Sequence, residues 1–322
     1  MTAMTMTATM KAVRIHAFGG PEVLAYEEVP RPEPAIDQIL VRVHGAGVNP
    51  VDWKIRQGLL GASPLPQTMG SDFSGMVEAV SPEVHEFHVG DLVFGVVAEE
   101  SGSYAEYTVA PVSRVARKPE GLDEVHAAAL PIASLTAWQA LFDAARLRAG
   151  QKVLIHAAAG GVGSFAVQFA HWKGAQVIGT ASARNQDYVR GLGVDQFIDY
   201  HATRFEEVVQ GADVVLDTVG GETQDRSWKV LKPGGILVSL VRPPSQEAAA
   251  AHKVRSVFIS SKPRGDQLTE IARLVASGTV KVNVEAVLPL HEARRAQEMS
   301  QSGHTRGKIV LVTEAYSATL TL

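Results

Sequence analysis

The feature that most restricts this chain is an apolar strand that runs straight into a glycine turn. Lys152-Val-Leu-Ile-His156 is followed by Ala157-Ala-Ala-Gly160-Gly161-Val162-Gly163, and Val162–Trp172 then reads as an apolar helix. Glycines allow a tight turn and a close approach to a pyrophosphate. The helix start adds unpaired N–H groups and the positive end of the helix dipole. Strand, turn and helix in this order are what a dinucleotide site requires. The string is Ala-x-x-Gly-Gly-x-Gly rather than the strict Gly-x-Gly-x-x-Gly, so a tight loop of an ordinary α/β protein stands as the bland alternative. The segments that follow weigh against it. Strands are expected at Gln176–Thr180, Gln196–Ile198, Asp213–Leu216 and Ile236–Leu240, with helices at Asp187–Leu192, Phe205–Val209 and Thr223–Leu231 between them. Such alternation implies a parallel sheet with helices on both faces.

The first third follows a different pattern. Lys11–His16, Gln38–His44, Met76–Val80, Leu92–Val97 and Tyr104–Val109 are short β-rich runs separated by Gly, Pro and Asp clusters, which suggests an antiparallel barrel or sandwich. Glu124–Arg146 reads as helical with an interruption at Pro131. Beyond residue 262 come helices at Gly265–Ala276 and His291–Met299 and a terminal strand at Lys308–Thr313, expected to return to the barrel. At 322 residues two domains are expected. They are residues 1–125 with 262–322, carrying the barrel, and 126–261, carrying the dinucleotide sheet. The fold class is α/β, a doubly wound parallel sheet plus an antiparallel β-barrel or sandwich.

Composition excludes several chemistries. The chain has no cysteine, so disulfides, thiolate metal sites and a cysteine nucleophile are out. A net charge of −4 offers no surplus to neutralise phosphates, and no nucleic-acid partner is expected. No apolar run approaches the length of a membrane span. The opening MTAMTMTATM has neither the basic nor the apolar region of a secretory signal and reads as a leader, with the expected start at Met10. His85-Glu86-Phe87-His88 and His291-Glu292 lack the His-Glu-x-x-His spacing, so no metal site is expected, and no Gly-x-Ser-x-Gly elbow supports serine catalysis.

The second sheet segment bears on the nucleotide. A site for NAD usually carries an acid about 20 residues beyond the glycines. Here Gly179-Thr-Ala-Ser182-Ala-Arg184-Asn185-Gln has none before Asp187. Ser182 and Arg184 suit a 2′-phosphate, which points to NADPH; the alternative is a helix-capping serine and a solvated arginine.

Several motifs in order resemble one family. They are Gly47-Val48-Asn49-Pro50-Val51-Asp52, Gly70-Ser71-Asp72-Phe-Ser-Gly75, Val89-Gly90-Asp91-Leu-Val93, Ser103-Tyr-Ala-Glu106-Tyr107, Leu135-Thr136-Ala137, Ala157–Gly163 and Gly307-Lys308-Ile-Val310. From about Lys11 to Thr313 the chain resembles the medium-chain dehydrogenase/reductase superfamily, in its zinc-lacking quinone oxidoreductase branch. Asn49-Pro-Val-Asp-Trp-Lys54 and Ser277-Gly-x-Val-Lys281 resemble the enone (alkenal) reductases of that branch. The resemblance implies a GroES-like barrel domain and a Rossmann domain with the cofactor in the cleft between them. Zinc alcohol dehydrogenases of the superfamily carry Gly-His-Glu where this chain has Gly70-Ser71-Asp72.

By the same resemblance, Gly160, Gly161, Val162 and Gly163 carry the pyrophosphate, and Ser182, Arg184 and Tyr200 surround the 2′-phosphate. Thr136, Leu240, Val241 and Phe258 to Ser260 border the nicotinamide, and Lys308 is a cofactor-side lysine. Asn49 and Lys54 face the substrate as the catalytic pair. Each has a plainer role open to it: Tyr200 as a strand cap, Thr136 bonding its own helix, Asn49 holding the turn before Pro50. Asp52 is expected to fix local backbone, and His156 to be structural. The expected activity is NADPH-dependent hydride transfer to an enone or quinone, in a cytoplasmic homodimer. The rival reading is an NADPH-binding redox sensor with little turnover.

Overall fold

Two hydrophobic patterns, period-2 strands and strand–helix alternation, build two separate units in the computed structural model. It describes residues 8–61 and 64–316. Residues 1–7 of the expected leader and 317–322 of the expected barrel domain lie outside the described residues. Close packing divides the chain into a first unit, the described residues of Met1–Ile132, Pro263–Ser277 and Val282–Leu322, and a second, Ala133–Lys262 with Gly278–Lys281.

In chain order the elements begin with β1 (Thr9–Ile15), β2 (Leu24–Pro30), β3 (Gln38–Val48), helix α1 (Pro50–Arg56), β4 (Gln67–Thr68), β5 (Asp72–Val80), β6 (Leu92–Val96), β7 (Tyr107–Pro111) and β8 (Val115–Arg117). Then come α2 (Glu124–Ala128), α3 (Pro131–Trp138) and a π-helical turn, Gln139–Ala144. The alternating series is β9 (Lys152–Ile155), α4 (Gly161–Trp172), β10 (Gln176–Ala181), α5 (Gln186–Gly191), β11 (Gln196–Asp199), α6 (Phe205–Val208), β12 (Ala212–Asp217), α7 (Gly221–Ser227), β13 (Leu231–Ser239), α8 (Gln246–Ala251) and β14 (Arg255–Phe258). The chain closes with α9 (Gly265–Ala276), β15 (Val284–Pro289), α10 (Ala293–Gln301) and β16 (Lys308–Val312).

Among the described residues the first unit holds a three-stranded sheet, β2-β1-β4, and a seven-stranded sheet, β15-β16-β3-β5-β6-β8 with β7 also on β3. Its strands run antiparallel except β15 and β16, which are parallel. The returning tail therefore pairs inside the barrel sheet, through Ile309–Val312 against Gly45–Val48. The core gathers Val13, Ile15, Met69, Tyr104, Leu290 and Leu311. The second unit is a six-stranded parallel sheet in the order β11-β10-β9-β12-β13-β14. With β9 as its first strand this is the 3-2-1-4-5-6 doubly wound arrangement.

The sequence reading missed β2, β4, β8, β14 and β15 and helices α1 and α8; it started β5 four residues late and β13 five residues late, placing Leu231 in a helix. Those segments are short or carry charges on their exposed faces, as Leu24–Pro30 does with Glu27 and Glu28, so their apolar period is weak. The interruption expected at Pro131 is the break between α2 and α3: Pro131 is the first residue of α3, where its missing N–H costs nothing. No helix among the described residues is long and apolar enough to cross a membrane.

Candidate active site

In the second unit the strand order reverses between β9 and β12, and the glycine turn leaves β9 at that point. Open α/β sheets bind ligands at the carboxyl ends of their strands at such a reversal. The turn is tight: Gly160 N–H donates to the Ala157 carbonyl at 2.9 Å, and Ala157 itself sits at φ +48°. A Cβ on Gly163 would stand 2.2 Å from the Ala157 carbonyl oxygen, so only glycine lets the helix start this close to the strand end. Gly160 caps α4 without any side-chain hydrogen bond. The first-turn N–H groups of a twelve-residue helix are thus left for another acceptor. The close approach and the uncapped start fit a dinucleotide pyrophosphate.

The neighbouring strand ends collect most of the other expected cofactor residues. Ala181 pairs with Asp199, so the next residues, Ser182 and Tyr200, leave the sheet side by side; the Tyr200 N–H donates to the Ala181 carbonyl at 3.3 Å. Ser182 Oγ accepts from Asn185 Nδ2 at 3.3 Å, Arg184 is exposed, and Tyr200 is 53% exposed with its ring 4.2 Å from that of His201. Leu240 and Val241 follow the end of β13, while Phe258 ends β14, pairs with Ser239 and is followed closely by exposed Ser260. Thr136 is buried in α3.

Asp217, which the sequence reading passed over, organises this edge. It ends β12 fully buried, and its Oδ1 accepts the Val219 and Gly220 N–H groups at 3.0 and 2.8 Å. Its Oδ2 accepts from Gln224 Nε2 at 2.9 Å and Ser239 Oγ at 3.2 Å, tying the β12 and β13 loops together. The only sequence signal was an acid ending an apolar strand before Gly-Gly. His156 is structural as expected: it is buried between Thr180 Oγ1 at 3.2 Å and Ser227 Oγ at 3.0 Å, and burial pushes its pKa down to about 4.

Asn49, Lys54 and Lys308 lie in the first unit. Pro50 opens α1, and Asp52 Oδ2 reaches back to accept the Asn49 N–H at 2.8 Å, the backbone-fixing role expected of it. Asn49 is 3% exposed. Its Nδ2 donates to Asp72 Oδ2 at 2.9 Å, and its Oδ1 accepts from Lys308 Nζ. Lys308 Nζ also donates to the Val48 carbonyl at 2.9 Å and stands 3.8 Å from Asp72 Oδ2. Lys308 therefore places its ammonium on Asn49 and β3 within this unit. Asp72 Oδ1 accepts the Ile132 N–H at 3.0 Å, and Tyr104 Oη donates to Asp52 Oδ2 at 2.8 Å. Burial dominates the electrostatics: it raises Asp52 to about 7 and Asp72 to about 6, against the pull of Lys308, and it lowers Lys308. Lys54, half-buried on α1, has its ammonium 5.6 Å from the Trp53 ring centre. Among the described residues no three His, Asp or Glu side chains gather as a metal-holding group.

A glycine turn at the switch point of a doubly wound sheet in one unit, and a buried Asn–Lys–Asp cluster in the other, define a two-unit dinucleotide-binding protein. Residues 35–120 match the family described as alcohol dehydrogenase GroES-like domain, and residues 192–311 the one described as zinc-binding dehydrogenase. The chain is 35% identical to a quinone oxidoreductase of Mus musculus, over 94% of this chain and 98% of that one. It is 37% identical to an NADPH-dependent alkenal/one oxidoreductase of Arabidopsis thaliana, over 94% of this chain and 79% of that one. The solved quinone oxidoreductase of Coxiella burnetii superposes with a TM-score of 0.88 at 36% identity, covering 95% and 99% of the two chains. The chain belongs to the medium-chain dehydrogenase/reductase superfamily, in its quinone oxidoreductase and enone reductase branch, and is an oxidoreductase.

Proposed function

We propose that this chain is a zinc-independent, NADPH-dependent reductase of α,β-unsaturated carbonyls and quinones, acting as a cytoplasmic homodimer. The observation that carries the reading is the grouping of Ser182, Arg184 and Tyr200 at two adjacent strand ends, beside an uncapped glycine turn and with no acid where an NAD site has one. The Arabidopsis relative named for NADPH and the alkenal/one class supports it, as does the mouse quinone oxidoreductase. Zinc independence rests on the lack of cysteine and on Ser71-Asp72 standing where zinc relatives carry His-Glu.

When bound, the reduced nicotinamide supplies hydride to the β-carbon of an enone or to a quinone. The N–H groups of Gly161, Val162 and Gly163 would hold the pyrophosphate, with Gly160 shaping the turn, and Ser182, Arg184 and Tyr200 would hold the 2′-phosphate. Thr136, Leu240, Val241, Phe258 and Ser260 border the nicotinamide. Charge develops on the carbonyl oxygen, and Lys54 with the second Nδ2 hydrogen of Asn49 donates to it. Lys308, by holding Asn49 Oδ1, and Asp72, by taking one Nδ2 hydrogen, fix which end of the amide donates. Water supplies the α-carbon proton.

The test mixes purified protein with NADPH and a small enone, follows cofactor oxidation and identifies the product by mass. A saturated ketone is expected. NADPH binding without oxidation across enones and quinones would overturn the enzyme reading in favour of a sensor.

A further inference from the structure

The second unit carries an aromatic and basic cavity that the proposed reaction does not use. It measures about 340 Å³ and is lined chiefly by Trp138, Phe142, Trp172, Arg146, Arg148 and Lys173. Its place in the fold separates it from the glycine turn. Trp172 ends α4, which begins at Gly161, so about 16 Å of helix lies between them. Arg148 precedes β9, which puts the cavity at the amino edge of the sheet, opposite the strand ends described above.

Trp138 and Trp172 stack with ring centres 6.1 Å apart at 27°, and Phe142 meets Trp138 edge-on at 4.8 Å. The π-helical turn carries Phe142 to this cluster, and π turns concentrate at functional sites. Trp172 is nevertheless 43% exposed, so one of the largest apolar faces of the chain is left toward the cavity rim. Lys173 Nζ sits 5.7 Å from the Trp172 ring centre and 5.8 Å from that of Phe142, within cation–π reach of both. Among the described residues Arg146, Arg148 and Lys173 make no ion pair with an acid. A flat apolar floor ringed by three cations wants an occupant with a π face and negative charge. The volume lies in the range of small-molecule sites, about 300–1,000 Å³.

We infer that this cavity binds a flat aromatic anion, a one- or two-ring arene carboxylate or sulfonate, with its ring against Trp138 and Trp172 and its charge among Arg146, Arg148 and Lys173. The test titrates the full chain with naphthalene-2-sulfonate, read by quenching of tryptophan fluorescence and by calorimetry. Saturable binding is expected. Trp172→Ala and Arg148→Gln, with melting temperatures checked against the parent, should each weaken it about tenfold, as should replacing the sulfonate by the neutral sulfonamide. Saturating NADPH should leave the affinity unchanged. Four results would overturn the inference: no saturable binding; affinity unmoved by both substitutions; equal binding of the neutral sulfonamide; or displacement of the probe by NADPH, which would place it at the glycine turn. Affinity that falls as protein concentration rises would also overturn it, by showing that the face is a contact between copies of this chain.

Discussion

Asp52→Asn tests the electrostatics of the first unit most sharply. Asp52 is fully buried; its Oδ2 takes the Asn49 N–H and the Tyr104 hydroxyl, and its Oδ1 has no partner among the described residues. Burial raises the carboxyl from an ordinary 3.8 to about 7. A group raised on folding contributes stability that is complete below its unfolded pKa and is lost as pH rises through the folded one. At about 1.4 kcal/mol per pH unit, the Asp52 carboxyl removes about 4 kcal/mol between roughly pH 4 and pH 7 to 8. Asp72, raised to about 6, acts in the same direction and remains in the variant as a common background. Asparagine keeps an oxygen for both donors but places an N–H where Oδ1 finds no partner, a cost of about 1–3 kcal/mol at every pH. The stability of the variant relative to the parent should therefore rise by about 3 kcal/mol from pH 5 to pH 8. Urea unfolding at both pH values, followed by tryptophan fluorescence, reads this directly, since Trp53 is the next residue in α1. With a urea slope of about 3 kcal/mol/M the variant's midpoint should gain about 1 M on the parent's. A gap that stays constant with pH would mean that Asp52 is an ordinary ionised carboxylate in the fold, and the burial argument would fail.

Three further outcomes are expected. Arg184→Ala should raise the KM for NADPH about tenfold and leave that for NADH nearly unchanged, because one charge-assisted contact is lost; equal effects in steady-state kinetics would refute the 2′-phosphate role. Gly163→Ala puts a Cβ 2.2 Å from a backbone oxygen, so the turn must move; calorimetry should show dinucleotide affinity reduced by at least about tenfold, with a stability loss of about 1–3 kcal/mol. Lys54→Met should lower kcat for an enone by about 10²-fold while the NADPH KM holds, the signature of a donor to developing charge. A rise in KM alone would reduce Lys54 to a surface cation beside Trp53.

The parallel sheet was legible because its strands are short apolar runs divided by glycine turns and amphipathic helices, and that pattern depends on nearest neighbours along the chain. The placing of Gly160–Gly163, Ser182 and Arg184 in the segments that follow β9 and β10 was legible for the same reason, since the sheet brings strand ends together whatever the detail of packing. The barrel was half legible. Its weak strands, such as Leu24–Pro30 and Val284–Pro289, take their conformation from partners far away in sequence.

What the sequence alone determined, then, is the order of elements, the dinucleotide turn and the absence of cysteine chemistry. Tertiary structure decided which polar groups meet. Lys308 reaches Asn49 across 259 residues because β16 runs antiparallel to β3, and Asp72 reaches both because β5 pairs with the other edge of that strand. No local signal marks such a meeting. Its consequence, carboxyls held near neutrality and an asparagine amide pinned at both ends, comes from removing these groups together from water.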